Sequence, residues 1–138
     1  MRDITKLMIH DFNLKKLGID FMGYEFNLTK QLSFHHLVIP RKDCQKKGYG
    51  SGYLYWNGAI LRQSTSHDYL HIIQRIDPQI FKEITREMIE ENQKGYLDKD
   101  NLERIKYILK YFEREHCSDR NKNGYHIIKE EYVRTRRI

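Results

Sequence analysis

The residues best equipped for chemistry sit close together. Four of the seven histidines fall between positions 35 and 71. His35 and His36 are adjacent in the run SFHHLVIP. If that run is extended, neighbouring side chains leave on opposite faces. One imidazole can then ligate a metal while the other turns toward a substrate or the core. His67 and His71 stand four apart in HDYLH. On a helix that spacing puts both rings on one face, about 6 Å apart, within reach of a single ion. A neutral imidazole also serves as a general base near neutral pH. Each pair has an ordinary alternative, in which the rings are simply packed or solvated. Their conjunction, with Asn57-Gly58 and a basic glycine-rich segment between them, favours a site.

The elements that would position these residues follow from periodicity. Ile4, Leu7 and Met8 suggest an amphipathic helix over 3–16, ended by Gly18. Residues 19–32 have no period and are expected to be irregular, with a short strand near Tyr24–Phe26 at most. Residues 33–39 are β-formers that stop at Pro40 and predict a strand. Residues 41–52, RKDCQKKGYGSG, predict a flexible basic loop. Residues 53–61 predict a second strand, bent at Asn57-Gly58. Leu70, Ile73 and Ile76 recur at helical spacing behind the hydroxyls of STSH, which predicts a helix over 65–76. Asp77-Pro78 is a cap and first turn for another helix, with Ile80, Phe81, Ile84 and Met88 on its inner face. Asp100 and Glu103 form a capping-box pattern for a last helix, whose stripe is Leu102, Ile105, Ile108, Leu109 and Phe112. The polar and basic tail over 118–138 is expected to be partly disordered.

The 138 residues fit one domain, and the net charge of +6 favours a polyanionic partner. No apolar run is long enough for a membrane span, and the charged start lacks the apolar stretch of a secretion signal. A cytoplasmic protein is therefore expected. The two cysteines, Cys44 and Cys117, are expected to be reduced thiols there. With no C-x-x-C, they do not make a zinc ribbon.

The segments LSFHHLVIPRKDC and YWNGAILRQSTSHDYLH resemble the HNH, or ββα-metal, endonuclease motif. The likeness covers residues 32–76. It comprises a histidine pair on a first strand, an asparagine 22 residues beyond His35 at the second strand, and a helical histidine ten residues further on. The fold it implies is α+β, a ββα-metal core embedded in a mostly helical domain. The chain lacks the cysteine pairs that brace many such domains, and Ser66 stands where a cysteine often precedes the helical histidine.

The resemblance also implies roles. His36 matches the general base. His35 matches the first metal ligand, a place often held by aspartate, and His67 matches the helical ligand. His71 is an additional ligand of the more histidine-rich members. Asn57 matches the residue that fixes the loop and orients the base, and in some members binds the ion. The reaction implied is hydrolysis of DNA phosphodiesters with one divalent ion, Mg²⁺ or Mn²⁺, or Zn²⁺ or Ni²⁺ at a site this rich in imidazole. Arg41, Lys42, Lys46, Lys47 and Arg62 are the expected phosphate contacts. Arg62, close to Asn57 in sequence, is the favoured clamp on the scissile phosphate. Tyr49, Tyr53, Tyr55 and Trp56 are expected to pack on the 65–76 helix, or else to stack on bases. The C-terminal helices could present a homodimer face. Two other readings remain open: an inert nucleic-acid- or protein-binding module on the same scaffold, such as a phage or mobile-element regulator, and a closed structural metal site at His35, His67 and His71.

Overall fold

A computed structural model describes residues 2–116. The tail over 118–138, and Cys117 with it, lies outside the described residues. The first helix, α1 (Asp3–Asp11), is shorter than its apolar pattern predicts. Asn13 adopts a left-handed conformation, φ 55°, and the chain restarts as α2 (Leu14–Leu17), closed by Gly18. Asparagine is one of the few side chains that tolerates this backbone. The break lets Phe12 and Leu14 both turn inward, where they are essentially fully buried. Residues 19–28 are irregular as expected, with one isolated bridge, Ile19 to Glu25, but Thr29–Gln31 form a 3-10 turn that leads into the first strand.

The two strands, β1 (Leu32–His36) and β2 (Gly58–Arg62), pair antiparallel with Leu32 opposite Arg62 and His36 opposite Gly58. Both are shorter than predicted. Gly58 is required by close approach rather than by φ: a Cβ there would strike the Phe34 ring. The segment expected as a free loop begins as a short helix, α3 (Arg41–Cys44). Its buried Cys44 thiol turns back on the carbonyls of Ile39 and Pro40.

The chain then passes from β2 through one π-helical turn, Gln63–His67, into α4 (Asp68–Ile76). The hydroxyls of STSH supply no side-chain cap to α4. Asp77 does cap α5 (Pro78–Lys94), its Oδ1 accepting from the Ile80 N–H at 3.2 Å. The last helix among the described residues, α6 (Lys99–His116), begins one residue before the expected start, and Asp98 takes the Asp100 N–H at 2.8 Å. Ile80, Ile84 and Met88 of α5 and Ile105, Leu109 and Phe112 of α6 are buried. The core joins these stripes to Ala59, Ile60 and Leu61, so β2 is covered on both faces. The result is a mixed α+β chain, mostly helical, with a small two-stranded sheet. Among the described residues, no helix is long and apolar enough to cross a membrane.

Candidate metal and catalytic site

The end of β1 divides the histidines. His35 points toward α4, where its ring centroid lies 5.0 Å from His67 and 5.5 Å from His71. The latter two rings are 4.8 Å apart. One ligand atom from each of the three lies within 4.8 Å of the others. His35 is buried, His67 half-buried and His71 exposed, so the cluster opens to solvent on one side.

The hydrogen bonds around the cluster set the tautomers. Ser33 donates its only hydroxyl proton to the Leu61 carbonyl, so its oxygen accepts from His67 Nδ1 at 3.3 Å. His71 Nδ1 likewise donates to Gln74 Oε1 at 3.1 Å. Both rings are left with a lone pair on Nε2. His35 Nε2 is buried and has no hydrogen-bond partner among the described residues. An orphaned buried nitrogen is costly unless something occupies it. Oriented imidazoles with satisfied outer nitrogens are the usual form of a metal ligand. The three residues therefore fit a divalent transition ion, and three protein donors leave coordination positions free.

Electrostatics favours the same state. Burial holds the His35 imidazole well below its ordinary range, and charge repulsion from His67 and His71 adds to this. Burial, and then the same repulsion from His71 and His36, pushes His67 down to about 4. Both rings are thus neutral, as ligation requires.

The π turn places His67. Asp20, fully buried, accepts from the Arg62 N–H at 2.9 Å and from the Ser66 hydroxyl, gripping both ends of the strand-to-helix transition. It also accepts from the Met22 and Tyr24 N–H groups, each at 2.9 Å. A π turn widens the helix by one residue and often marks a functional position.

His36 turns the other way. Its ring packs edge-on against Phe34 and Tyr53, each 5.1 Å away between centroids, and its buried Nε2 has no hydrogen-bond partner among the described residues. Burial lowers its pKa. The Ser51 backbone opposes that by hydrogen bonding, and the positive charges of Arg41 and Arg2 lower it further. The Arg2 guanidinium lies 3.8 Å over the Tyr53 ring, and that of Arg41 lies 5.8 Å from it. His35, His36, His67, His71, Arg2 and Arg41 all line one pocket of about 580 Å³.

Asn57 does not line that pocket. It is fully buried, its Oδ1 accepting from the N–H groups of Val38 and Ile39, both at 2.9 Å. Its Nδ2 donates to the carbonyls of Ile39 at 3.0 Å and Gly52 at 3.4 Å. Of the roles the resemblance implied, it takes the loop-fixing one. Asn92 of α5 secures it from behind, donating to the carbonyls of Tyr55 and Gly58 at 2.8 and 2.7 Å.

The expected phosphate contacts separate. Arg41 reaches the pocket, whereas Lys42, Lys46 and Lys47 are exposed on α3 and the following turn, outside its lining. Arg62 does not stand by Asn57. Four residues of strand carry it about 13 Å along β2, and its Nη1 donates to the Glu25 carbonyl at 2.9 Å. Sequence reasoning missed Arg2, Asp20 and Asn92. Only tertiary contacts single them out, and the one local clue was an aspartate in an otherwise apolar stretch, IDFMGY. Tyr53 belongs beside His36, whereas Tyr55 donates to Asp11 at 3.1 Å.

No protein-family model, curated protein or solved structure matches the chain.

Proposed function

We propose that the chain is a metal-dependent endonuclease of the HNH type that hydrolyses phosphodiester bonds in DNA. The observation that carries this reading is the division of roles at the end of β1. His35 joins His67 and His71 in a ligand cluster, while the next residue, His36, is held neutral and lines the same pocket, its buried Nε2 carrying no hydrogen bond to any described residue. The ββα identity, the DNA substrate and a cytoplasmic setting are parts of this proposal.

In this mechanism His36 accepts a proton from water at its imidazole and so generates the attacking nucleophile. Tyr53 and Phe34 hold the ring in place. Arg41 and Arg2 supply positive charge where the phosphate's negative charge must be stabilised. Asn57 pins the backbone between β1 and α3, so the base and Arg41 keep their spacing. A divalent ion held by His35, His67 and His71 would act as a Lewis acid on the phosphate and stabilise the leaving oxygen.

The test is incubation with supercoiled plasmid in Mg²⁺, Mn²⁺, Ni²⁺ or Zn²⁺, beside His36→Ala. Wild type is expected to nick and linearise the plasmid. His36→Ala is expected to lose roughly 10²- to 10⁴-fold in rate. Plasmid left intact in every metal would replace this reading with the inert binding module. Unfolding by chelator, with His36→Ala fully active, would replace it with a structural metal site.

A further inference from the structure

We infer that the strand this protein takes is single-stranded DNA where it meets the loop beside His36, its unpaired bases stacking on Tyr49 and Trp56. The inference rests on the nuclease reading for its choice of nucleic acid and deepens it by naming the substrate class. Tyr49 is 43% exposed and Trp56 44%, and their rings meet edge to face with centroids 5.5 Å apart. Trp56 is the only tryptophan in the chain. Tryptophan is highly buried on average, so an adjoining pair of open aromatic rings marks a contact surface.

The platform borders the candidate site. Trp56 precedes Asn57 and Gly58, and Gly58 faces His36 across the sheet. The Tyr49 N–H donates to the Cys44 carbonyl at 2.9 Å. Gly52, three residues on, packs against Cys44, and a Cβ there would lie 3.3 Å from His36 Cδ2. Bases on these rings would place the adjoining backbone near the His36 pocket.

The charge around the rings selects a polyanion. Arg41, Lys42, Lys46 and Lys47 are exposed on α3 and the turn leading to Tyr49, and none makes an ion pair with a described residue. Asp43 is the only acidic residue from 41 to 57. Lysines along the backbone with aromatic rings for the bases are the two components of single-strand recognition. A duplex keeps its base faces stacked inside and offers the rings only edges and phosphates.

The sole tryptophan makes the test direct. Emission of Trp56 is followed in EDTA, without metal, as a sixteen-nucleotide oligo(dT) or a sixteen-base-pair duplex is added. Oligo(dT) is expected to quench the emission saturably, and the duplex to quench it little. With fluorescently labelled oligo(dT), Tyr49→Ala and Trp56→Ala are each expected to weaken binding roughly tenfold, and Trp56→Phe to retain most of the affinity. Both residues are exposed, and unchanged circular dichroism will confirm that the variants fold. Emission unmoved by oligo(dT) at low salt would overturn the inference. So would duplex binding that is equally tight and equally weakened by the two alanine variants. Because the titration needs no metal and no cleavage, its failure leaves the plasmid result standing. Conversely, a wild type inert on plasmid but quenched by oligo(dT) would remove the nuclease reading alone.

Discussion

Glu91 offers the sharpest test of the fold around the site. It lies on α5, fully buried, and neither carboxylate oxygen has a hydrogen-bond partner among the described residues. Burial pushes its pKa up to about 9, and the neighbouring charges of Asp20, Glu87 and Asp98 push the same way. The folded protein therefore keeps a proton that the unfolded chain releases above the ordinary value of 4.5. Unfolding releases that proton, so the Glu91 contribution to stability is greatest below pH 4.5 and falls as pH rises toward 9. At pH 7 the loss depends only on the distance from 4.5 to 7, provided the folded pKa stays higher. At 1.36 kcal/mol per unit, this is about 3 kcal/mol. Glu91→Gln keeps the shape and stays neutral at every pH. It is expected to match wild type at pH 4.5, to be about 3 kcal/mol more stable at pH 7, and to melt on the order of 10 °C higher there. Urea unfolding followed by circular dichroism between pH 4.5 and 8.5 measures the difference. If Glu91→Gln were destabilising at pH 8.5 and the wild-type slope persisted in the variant, Glu91 would have to be ionised and paired. Glu91 would then have a cationic partner that the packing of α5 against β2 does not provide.

The histidine cluster predicts the opposite slope at lower pH. With His67 pushed down to about 4, the unfolded chain takes up a proton below about 6.5 that the folded chain refuses. The metal-free protein should lose about 3 kcal/mol between pH 6.5 and 4 through His67, with His35 adding to the same limb, and His67→Gln should remove the His67 share in urea titrations with EDTA. Ni²⁺ or Zn²⁺ at a hundred times its dissociation constant should stabilise wild type by about 2.7 kcal/mol in thermal melts. His36→Ala should retain that shift, and His35→Ala or His67→Ala should abolish it. Asn57→Ala leaves the N–H groups of Val38 and Ile39 and the Ile39 carbonyl without their side-chain partner. A loss of about 3 kcal/mol or more is expected by chemical denaturation. Gly52→Ala and Gly48→Ala form a matched pair, since both glycines have φ near +80° but only Gly52 touches Cys44 and His36. Gly48→Ala should cost about 1 kcal/mol for backbone strain, and Gly52→Ala clearly more, in the same thermal melts.

Several features of this protein are determined by the sequence alone, because they depend on periods of a few residues and on local backbone chemistry. The alternation of a strand separates His35 from His36, and the helical repeat unites His67 with His71. Asp77-Pro78 starts α5, and the stripes of α5 and α6 follow from apolar spacing. That spacing even runs from Ile80, Ile84 and Met88 to position 91, though the charge there argues for solvent. The tertiary structure decided what depends on distant segments meeting. It chose which member of the histidine pair faces α4, across more than thirty residues of chain. It broke the first helix at Asn13 so that Phe12 and Leu14 could both enter the core. It carried Arg62 down β2 while bringing Arg2 to Tyr53, and it set Asp20 and Asn92 behind the π turn and Asn57. None of these leaves a local periodic trace, because each is selected by the shape and polarity of a partner remote in sequence. The histidines first picked out at 35, 36, 67 and 71 remain the centre of the candidate site. The fold adds that three converge on one point, while the fourth is held apart in the same pocket.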